Sequence, residues 1–288
     1  PEVFGDRISA DHQIARSEVS KGWRGESAGL LVLDHATDFG ANYPTGARTS
    51  DEAHKSLRHF QGPIDHAIKS IQVDNAPELL KAVEDLGWNL DTSTPHVHES
   101  NAIIERRQGI HKDGTRAALY QAGVPTDLWP LAGPYFQMAK NLRIGSDGQT
   151  SWCKAHGKEF HGEQFPFGCL GYFIPPPPLA KKLGLATYDP PSVPGLFWGW
   201  HLNGGCKWSG DYYVTPLSLA EQWLLGSRVK KTFSYWRVNK FLPKIRGDGE
   251  YVFPFRTLFD KREDSAETSG DLVCLLYTSP SPRDYGTS

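Results

Sequence analysis

Three acidic residues are the strongest candidates for chemistry in this 288-residue chain. Asp11 lies within a short β-like run, Asp74 follows another, and Glu105 lies in a stretch with a helical pattern. Three convergent carboxylates can hold two hard divalent cations about 3.5–4 Å apart, an arrangement suited to in-line attack on a phosphodiester. Taken singly, an Asp followed by Asn is usually a turn residue or a helix cap. The prediction therefore depends on the sequence around each acid.

Four short motifs follow one another around the second and third acids. They are Val-Asp-Asn-Ala-Pro-Glu-Leu at 73–79, Gly-Trp at 87–88, Ser-Thr-Pro at 93–95 and Asn-Ala-Ile-Ile-Glu-Arg at 101–106. In this order they resemble the retroviral-type integrase core of long-terminal-repeat retrotransposons, in particular its copia-like branch, over roughly residues 5–175. The chain departs from the family pattern in three ways. The stretch between Asp74 and Glu105 is about five residues shorter than usual, and His98 and Ala102 replace a Pro and a Gly.

The resemblance implies a catalytic triad made of Asp11, Asp74 and Glu105, which would also be the metal ligands. Asp34 follows an apolar run and is the tempting alternative as first acid, but the family's catalytic Asp lies one strand earlier. The implied activity is a polynucleotidyl transferase that uses two Mg²⁺ or Mn²⁺ ions to trim element DNA ends and join them to target DNA. The resemblance also implies a homo-oligomer on DNA and a nuclear location.

Two alternatives stay open. One is another nuclease or transposase of the same fold. The other is a catalytically decayed remnant that binds nucleic acid without cutting it; the shortened segment after Asn75 favours some decay, whereas the retained acids argue against it.

Candidate DNA-binding residues lie on the predicted helix that carries the third acid. Lys112 comes seven residues after Glu105 and Arg116 one turn later, so all three project on one side of a helix. Asn101 and Arg106 are assigned to nucleic-acid binding by their place in the family motif. An ordinary charged helix face is the competing interpretation, particularly for Arg116.

Apolar periodicity predicts alternating strands and helices in the first half of the chain. Strands are predicted at residues 7–14, 28–34, 38–43, 68–73 and 90–92, and helices at 50–60, 75–87, 101–122 and 131–142. Thr49 or Ser50 should cap the first helix, and Asn75 with Glu78 should form a capping box on the second. This pattern alone indicates an α/β protein; the resemblance implies a ribonuclease-H-like mixed sheet flanked by helices, followed by a small β-rich C-terminal region.

Changes in composition divide the chain into four parts. Residues 1–150 are predicted to be the catalytic core and 151–227 a small β-rich region, with the prolines at 175–178 as rigid connectors. Residues 228–271 form a basic aromatic segment or linker, and 272–288 resemble translated sequencing adapter or a disordered tail. The segment 228–262 contains ten Lys/Arg and three Asp/Glu although the whole chain carries a net charge of −2. This composition suits a polyanion as a partner, and a solvated linker is the competing interpretation.

Cysteine spacing and hydropathy exclude some other classes. Four widely separated cysteines without a Cys-x-x-Cys pair argue against structural zinc. The family's His-His-Cys-Cys zinc module is absent from this sequence and is expected upstream of Pro1, since the chain reads as a polyprotein fragment. No apolar run approaches the ~18 residues of a membrane span, so no membrane partner is predicted.

Overall fold

The chain folds around two five-stranded sheets in a computed structural model that describes residues 1–63, 68–92, 102–225 and 233–257. The strands of the first sheet are β1 (Ile8–Ile14), β2 (Ala28–Asp34), β3 (Gly40–Thr45), β4 (Ser70–Val73) and β5 (Asn89–Thr92). Their order is β3-β2-β1-β4-β5. β2 is antiparallel to β1 and β3, whereas β4 is parallel to β1 and β5. This mixed topology is ribonuclease-H-like, and the predicted fold class is confirmed.

Helices cover both faces of the first sheet because each presents one apolar side. They are α1 (Ser50–Gln61), α2 (Pro77–Leu86), α3 (Ala102–Ala122) and α4 (Trp129–Asn141). Apolar residues of α1 and α2, such as Leu57 and Leu79, share a cluster with Ile8 and Leu30 of the sheet. On the opposite face, Ile104 of α3 packs on Leu31 and Leu33. α4 lies beside α3 and along the edge strand β3.

The second sheet is entirely antiparallel and has the order β10-β6-β7-β8-β9. Its strands are β6 (Leu170–Phe173), β7 (Val193–Asn203), β8 (Lys207–Pro216), β9 (Trp236–Val238) and β10 (Leu242–Pro243). Three short helices accompany it: α5 (Ser151–His156), α6 (Pro177–Lys182) and α7 (Leu217–Leu225). The predicted β-rich C-terminal region is thus present.

The two sheets share one hydrophobic cluster, to which aromatic side chains contribute. The rings of Tyr135 and Trp200 stack with centroids 5.5 Å apart. The Tyr43 hydroxyl lies 3.1 Å from His59 Nδ1 and 3.4 Å from the Cys206 thiol, so β3, α1 and the turn before β8 meet at one point. The division at residue 150 stays a prediction about sequence organisation, since a single hydrophobic cluster extends across it.

The predicted N-terminal caps are confirmed for the first helix and wrong for the second. The Thr49 side chain accepts a hydrogen bond from the Glu52 amide, as predicted for the first helix. The second helix is different: Ala76 occupies its N-cap position without a side-chain hydrogen bond, so Asn75 does not cap it. The prolines at 175–178 are not only a connector, because Pro177 begins α6, and proline suits the first turn of a helix. Within the described ranges, no helix is both long and apolar enough to cross a bilayer.

Candidate active site

Asp11 and Asp74 lie side by side because β1 and β4 pair in parallel. Ala10 is opposite Val73 in this pairing, and the two aspartates are the next residues of their chains. Asp11 is partly buried in the middle of β1, opposite Leu31 of β2, whereas Asp74 is exposed just beyond the end of β4. The carboxyl end of β4 therefore places two of the predicted acids together.

Glu105 reaches the same region from the helix α3. Ile104 fixes the first turn of that helix on Leu31 and Leu33. One turn after Glu105, the side-chain amide of Gln108 donates a 2.7 Å hydrogen bond to Asp11 Oδ2. α3 thus crosses the sheet directly over the acid of β1.

The negative charges of Asp74 and Glu105 act on Asp11. The pKa of Asp11 is raised from 3.8 to about 6, mainly by burial and further by the negative charges of Asp74 and Glu105. Hydrogen bonds from the His12 amide and from Gln108 oppose this rise. Two neighbouring carboxylates thus act on the third, as expected of acids that share one site.

The donor set suits Mg²⁺ or Mn²⁺ in type, since these cations prefer carboxylate oxygens and would relieve the repulsion at Asp11. Within the described ranges, however, no three His, Cys, Asp or Glu side chains lie close enough together to hold one ion. Asp74 and Glu105 are exposed, so their side chains can change rotamer rapidly. The residues fit the metal in chemistry and in neighbourhood, and the roles assigned to Asp11, Asp74 and Glu105 stay a prediction.

Asp34 has a structural role instead. It is fully buried, and its carboxylate accepts hydrogen bonds from the amide of Gly5 and from both the amide and the hydroxyl of Thr37. It pairs with Ile8 at the start of β1, three residues before Asp11. These contacts hold the turn between β2 and β3 and leave Asp34 remote from the end of β4.

His12 and Glu78 form a separate polar contact near Asp11. His12 is buried, and its Nδ1 lies 3.8 Å from Glu78 Oε1. Arg48 approaches the same oxygen at 3.7 Å. Glu78 thus faces His12 and Arg48 and does not form the predicted capping box, while burial lowers the pKa of His12.

The predicted DNA-binding residues of α3 do not all share one face. Glu105, Lys112 and Arg116 fall within about 20° of one line along the helix, whereas Arg106 points about 100° away. All four are exposed, and Arg116 pairs with Asp113 at 3.1 Å. Asn101 lies outside the described residues, so its assignment stays a prediction.

Sequence reasoning missed several residues that position α3. Arg107 is bonded to Asp38, which also accepts a 3.3 Å hydrogen bond from Lys140 of α4. Asp38 has φ of 60°, so this turn places its carboxylate from a left-handed backbone conformation. Gln108 could have been found from the sequence, because its spacing of three residues from Glu105 places both on nearly the same face of the helix.

The basic C-terminal segment is folded in its described part, 233–257. Phe233, Phe241 and Phe255 are buried in the core, so these rings are not available to stack on bases. Tyr235 and Trp236 make cation–π contacts within the chain. Arg24 lies 5.0 Å from the centroid of the Tyr235 ring, and Lys182 lies 5.1 Å from the centroid of a Trp236 ring. The exposed cations of this part are Arg237, Lys240, Lys244 and Arg246.

Comparisons with known proteins find similarity among solved structures, whereas neither protein-family models nor curated proteins give a match. The catalytic core domain of BIV integrase is 17% identical, with 51% of this chain and 91% of that one covered and a TM-score of 0.39. The HTLV-2 integrase catalytic core domain in complex with magnesium, in a trimeric form, is 14% identical, with 54% of this chain and 98% of that one covered and a TM-score of 0.39. The simian T-cell lymphotropic virus intasome in complex with PP2A regulatory subunit B56 gamma is 15% identical, with 85% of this chain and 84% of that one covered and a TM-score of 0.41. Such remote similarity transfers no residue role, and the fold assignment rests on the strand order of the first sheet.

Proposed function

We propose that this chain is a metal-dependent polynucleotidyl transferase that joins DNA ends to target DNA, as an integrase of a long-terminal-repeat retrotransposon does. The observation that carries the proposal is the register of β1 and β4. It places Asp11 beside Asp74 under the helix that bears Glu105. Asp74 and Glu105 are also the acids of the sequence motifs, and the family resemblance implies Asp11 as their partner, independently of this geometry.

Asp11, Asp74 and Glu105 would hold two divalent cations in this reaction. When bound, such cations increase the nucleophilicity of the attacking water or 3′-hydroxyl and neutralise charge on the leaving oxygen. The chain itself binds and orients the substrate. Lys112 and Arg116 lie along the same helix line as Glu105, where their cations would hold the phosphate backbone next to the acids.

The proposal includes assembly and location. A homo-oligomer on DNA would bring two element ends together, and the reaction would take place in the nucleus. Both features follow from the proposed activity and are to be tested with it.

Replacing Asp74 with Asn provides the test of the activity. In a strand-transfer assay on a duplex oligonucleotide with Mg²⁺ or Mn²⁺, Asp74→Asn should abolish joining, because the site loses a charge that the cations require. DNA binding should remain largely intact, since phosphate contacts lie elsewhere. The matched control is Asp85→Asn, which removes an exposed carboxylate from α2 that pairs only with Lys81 in the described structure. Unchanged joining by Asp74→Asn would refute the mechanism.

A second candidate function is DNA binding without catalysis. The observation in its favour is that the three carboxylates do not converge on one point within the described ranges. The same assay separates the two functions. Wild-type protein that binds DNA but joins no ends, at any concentration of Mn²⁺, would favour a decayed element.

A further inference from the structure

Gln108 is the one described side chain that bonds directly to the carboxylate of Asp11. Its amide nitrogen lies 2.7 Å from Asp11 Oδ2 and donates a hydrogen bond to it. Along α3, Gln108 comes three residues after Glu105 and four before Lys112, so it occupies the middle of the proposed site. The reaction proposed above gives it no role.

Both oxygens of the Asp11 carboxylate are held by donors of the chain. Oδ2 receives the Gln108 amide, and Oδ1 receives the backbone amide of His12 at 2.6 Å. An ionised carboxylate offers about four acceptor positions, so two remain for a cation when these two bonds are formed. The hydrogen bonds therefore fix the plane of the carboxylate without filling its capacity to bind a metal.

Gln108 is itself held in place by a chain of polar contacts. The Gln13 amide donates to the Gln108 carbonyl oxygen at 3.3 Å. Gln13 Oε1 lies 2.9 Å from Nδ1 of the buried His111, and His111 Nε2 lies 3.0 Å from the Gly133 carbonyl oxygen. This network joins β1, α3 and α4 and holds the Gln108 backbone above β1, and the Gln108 side-chain amide also lies 3.5 Å from the His12 carbonyl oxygen.

We propose that Gln108 is a positioning residue that orients the Asp11 carboxylate for a divalent cation. This inference rests on the proposed function, because it requires Asp11 to be a metal ligand. Residues that hydrogen-bond to metal ligands fix their orientation, and their loss typically weakens metal binding by about 10–100-fold. Gln108 would act in this way through its side-chain amide alone, without touching the metal or the substrate.

The test is a titration of the full chain with Mn²⁺, in which free Mn²⁺ is followed by electron paramagnetic resonance. Gln108→Met has nearly the same side-chain shape but no donor, and it should raise the Kd for Mn²⁺ by about tenfold or more. The matched control is Gln121→Met, at an exposed position on the same helix, where the Kd should not change. The melting temperature of both variants without metal shows whether the effect is confined to the site.

The outcomes separate this inference from the proposed function. An unchanged Kd in Gln108→Met would overturn it, and so would a lower Kd, because Gln108 would then compete with the metal. Asp11→Asn in the same titration tests the site itself. If the wild type binds no Mn²⁺, or if Asp11→Asn binds it equally well, the metal site fails together with the inference. Should Gln108→Met not fold, Gln108→Asn gives the same comparison, since its amide is one methylene too short for the 2.7 Å contact.

Discussion

Replacing Asp11 with Asn should stabilise the metal-free fold at neutral pH, although it damages the proposed active site. The pKa of Asp11 rises from 3.8 to about 6 in the folded chain, through burial and then through the charges of Asp74 and Glu105. The folded state therefore holds the proton more tightly than the unfolded state. The free energy of unfolding falls as pH rises from about 4 to about 6. Above pH 6 the whole destabilisation caused by ionised Asp11 is present.

The magnitude follows from the size of the pKa shift. Two pKa units at 1.36 kcal/mol each give about 3 kcal/mol of lost stability at pH 7. Asn is neutral at every pH and resembles the protonated acid, so Asp11→Asn should not lose this stability as pH rises. We expect Asp11→Asn and wild type to be about equally stable at pH 4, and the variant to be more stable by up to about 3 kcal/mol at pH 7.

Urea unfolding between pH 4 and pH 8, in the presence of a chelator, measures this difference. The control is Asp34→Asn, on the neighbouring strand. It should destabilise the fold at both ends of this range by about 1–3 kcal/mol, because it disturbs the buried bonds to Gly5 and Thr37. A free-energy difference between Asp11→Asn and wild type that does not change with pH would show that burial and the neighbouring charges do not raise the pKa of Asp11.

Three further predictions concern packing, DNA binding and folding. Gly109→Ala should stabilise α3 by about 1 kcal/mol, since its added Cβ meets no atom within 4 Å. Gly114→Ala should instead destabilise the chain by about 1–3 kcal/mol, since its Cβ would lie 1.9 Å from the ring of Phe136. Thermal unfolding compares the two variants, and equal effects would contradict the close packing of α3 on α4. In a salt titration of DNA affinity, replacing Lys240, Lys244 and Arg246 together by Ala should make the log–log slope shallower by about 3 if all three contact phosphates, and an unchanged slope would leave the line of Lys112 and Arg116 as the candidate surface. In refolding experiments, the capacity to bind Mn²⁺ should appear after the far-ultraviolet ellipticity; simultaneous recovery would contradict a late assembly of the site.

The salt experiment uses substitutions and not a truncation for a structural reason. Cutting the chain before residue 228 would remove Phe233, Phe241 and Phe255, all of which are buried. Loss of such side chains typically costs about 3–5 kcal/mol each, so a shortened chain would report on unfolding and not on charge.

The sequence was most informative where one pattern determined both an element and its environment. The apolar run at 28–34 is β2 with the predicted bounds, since a continuous apolar run suits a strand covered on both faces. Asp74 was placed at the end of β4 by the same kind of argument. The cap of α2 was predicted wrongly because Asn, Pro and Glu formed a good local motif, whereas Glu78 is instead drawn to His12 and Arg48.

Residues that depend on contacts between distant parts of the chain were not predictable in this way. Gln108 meets Asp11 across 97 positions, and nothing in the local sequence of either residue indicates the other. A glycine within a helix is locally only a weak helix former, but at Gly114 the structure requires the absence of a side chain where α3 meets Phe136. In both cases the deciding fact is how close two elements lie, which depends on tertiary packing.

The parallel pairing of β1 with β4 also has a consequence for the order of folding. β1 and β2 form a local hairpin whose nearest pair is Ile14 and Ala28, whereas Ala10 must find Val73 across 63 positions. Closing the longer loop costs more chain entropy, so the hairpin should form first and β4 should dock onto it afterwards. Asp11 is then carried by an early part of the fold and Asp74 by a later one. The unfavourable charges next to the buried Asp11 therefore come together only when most of the stabilising contacts of the hairpin already exist.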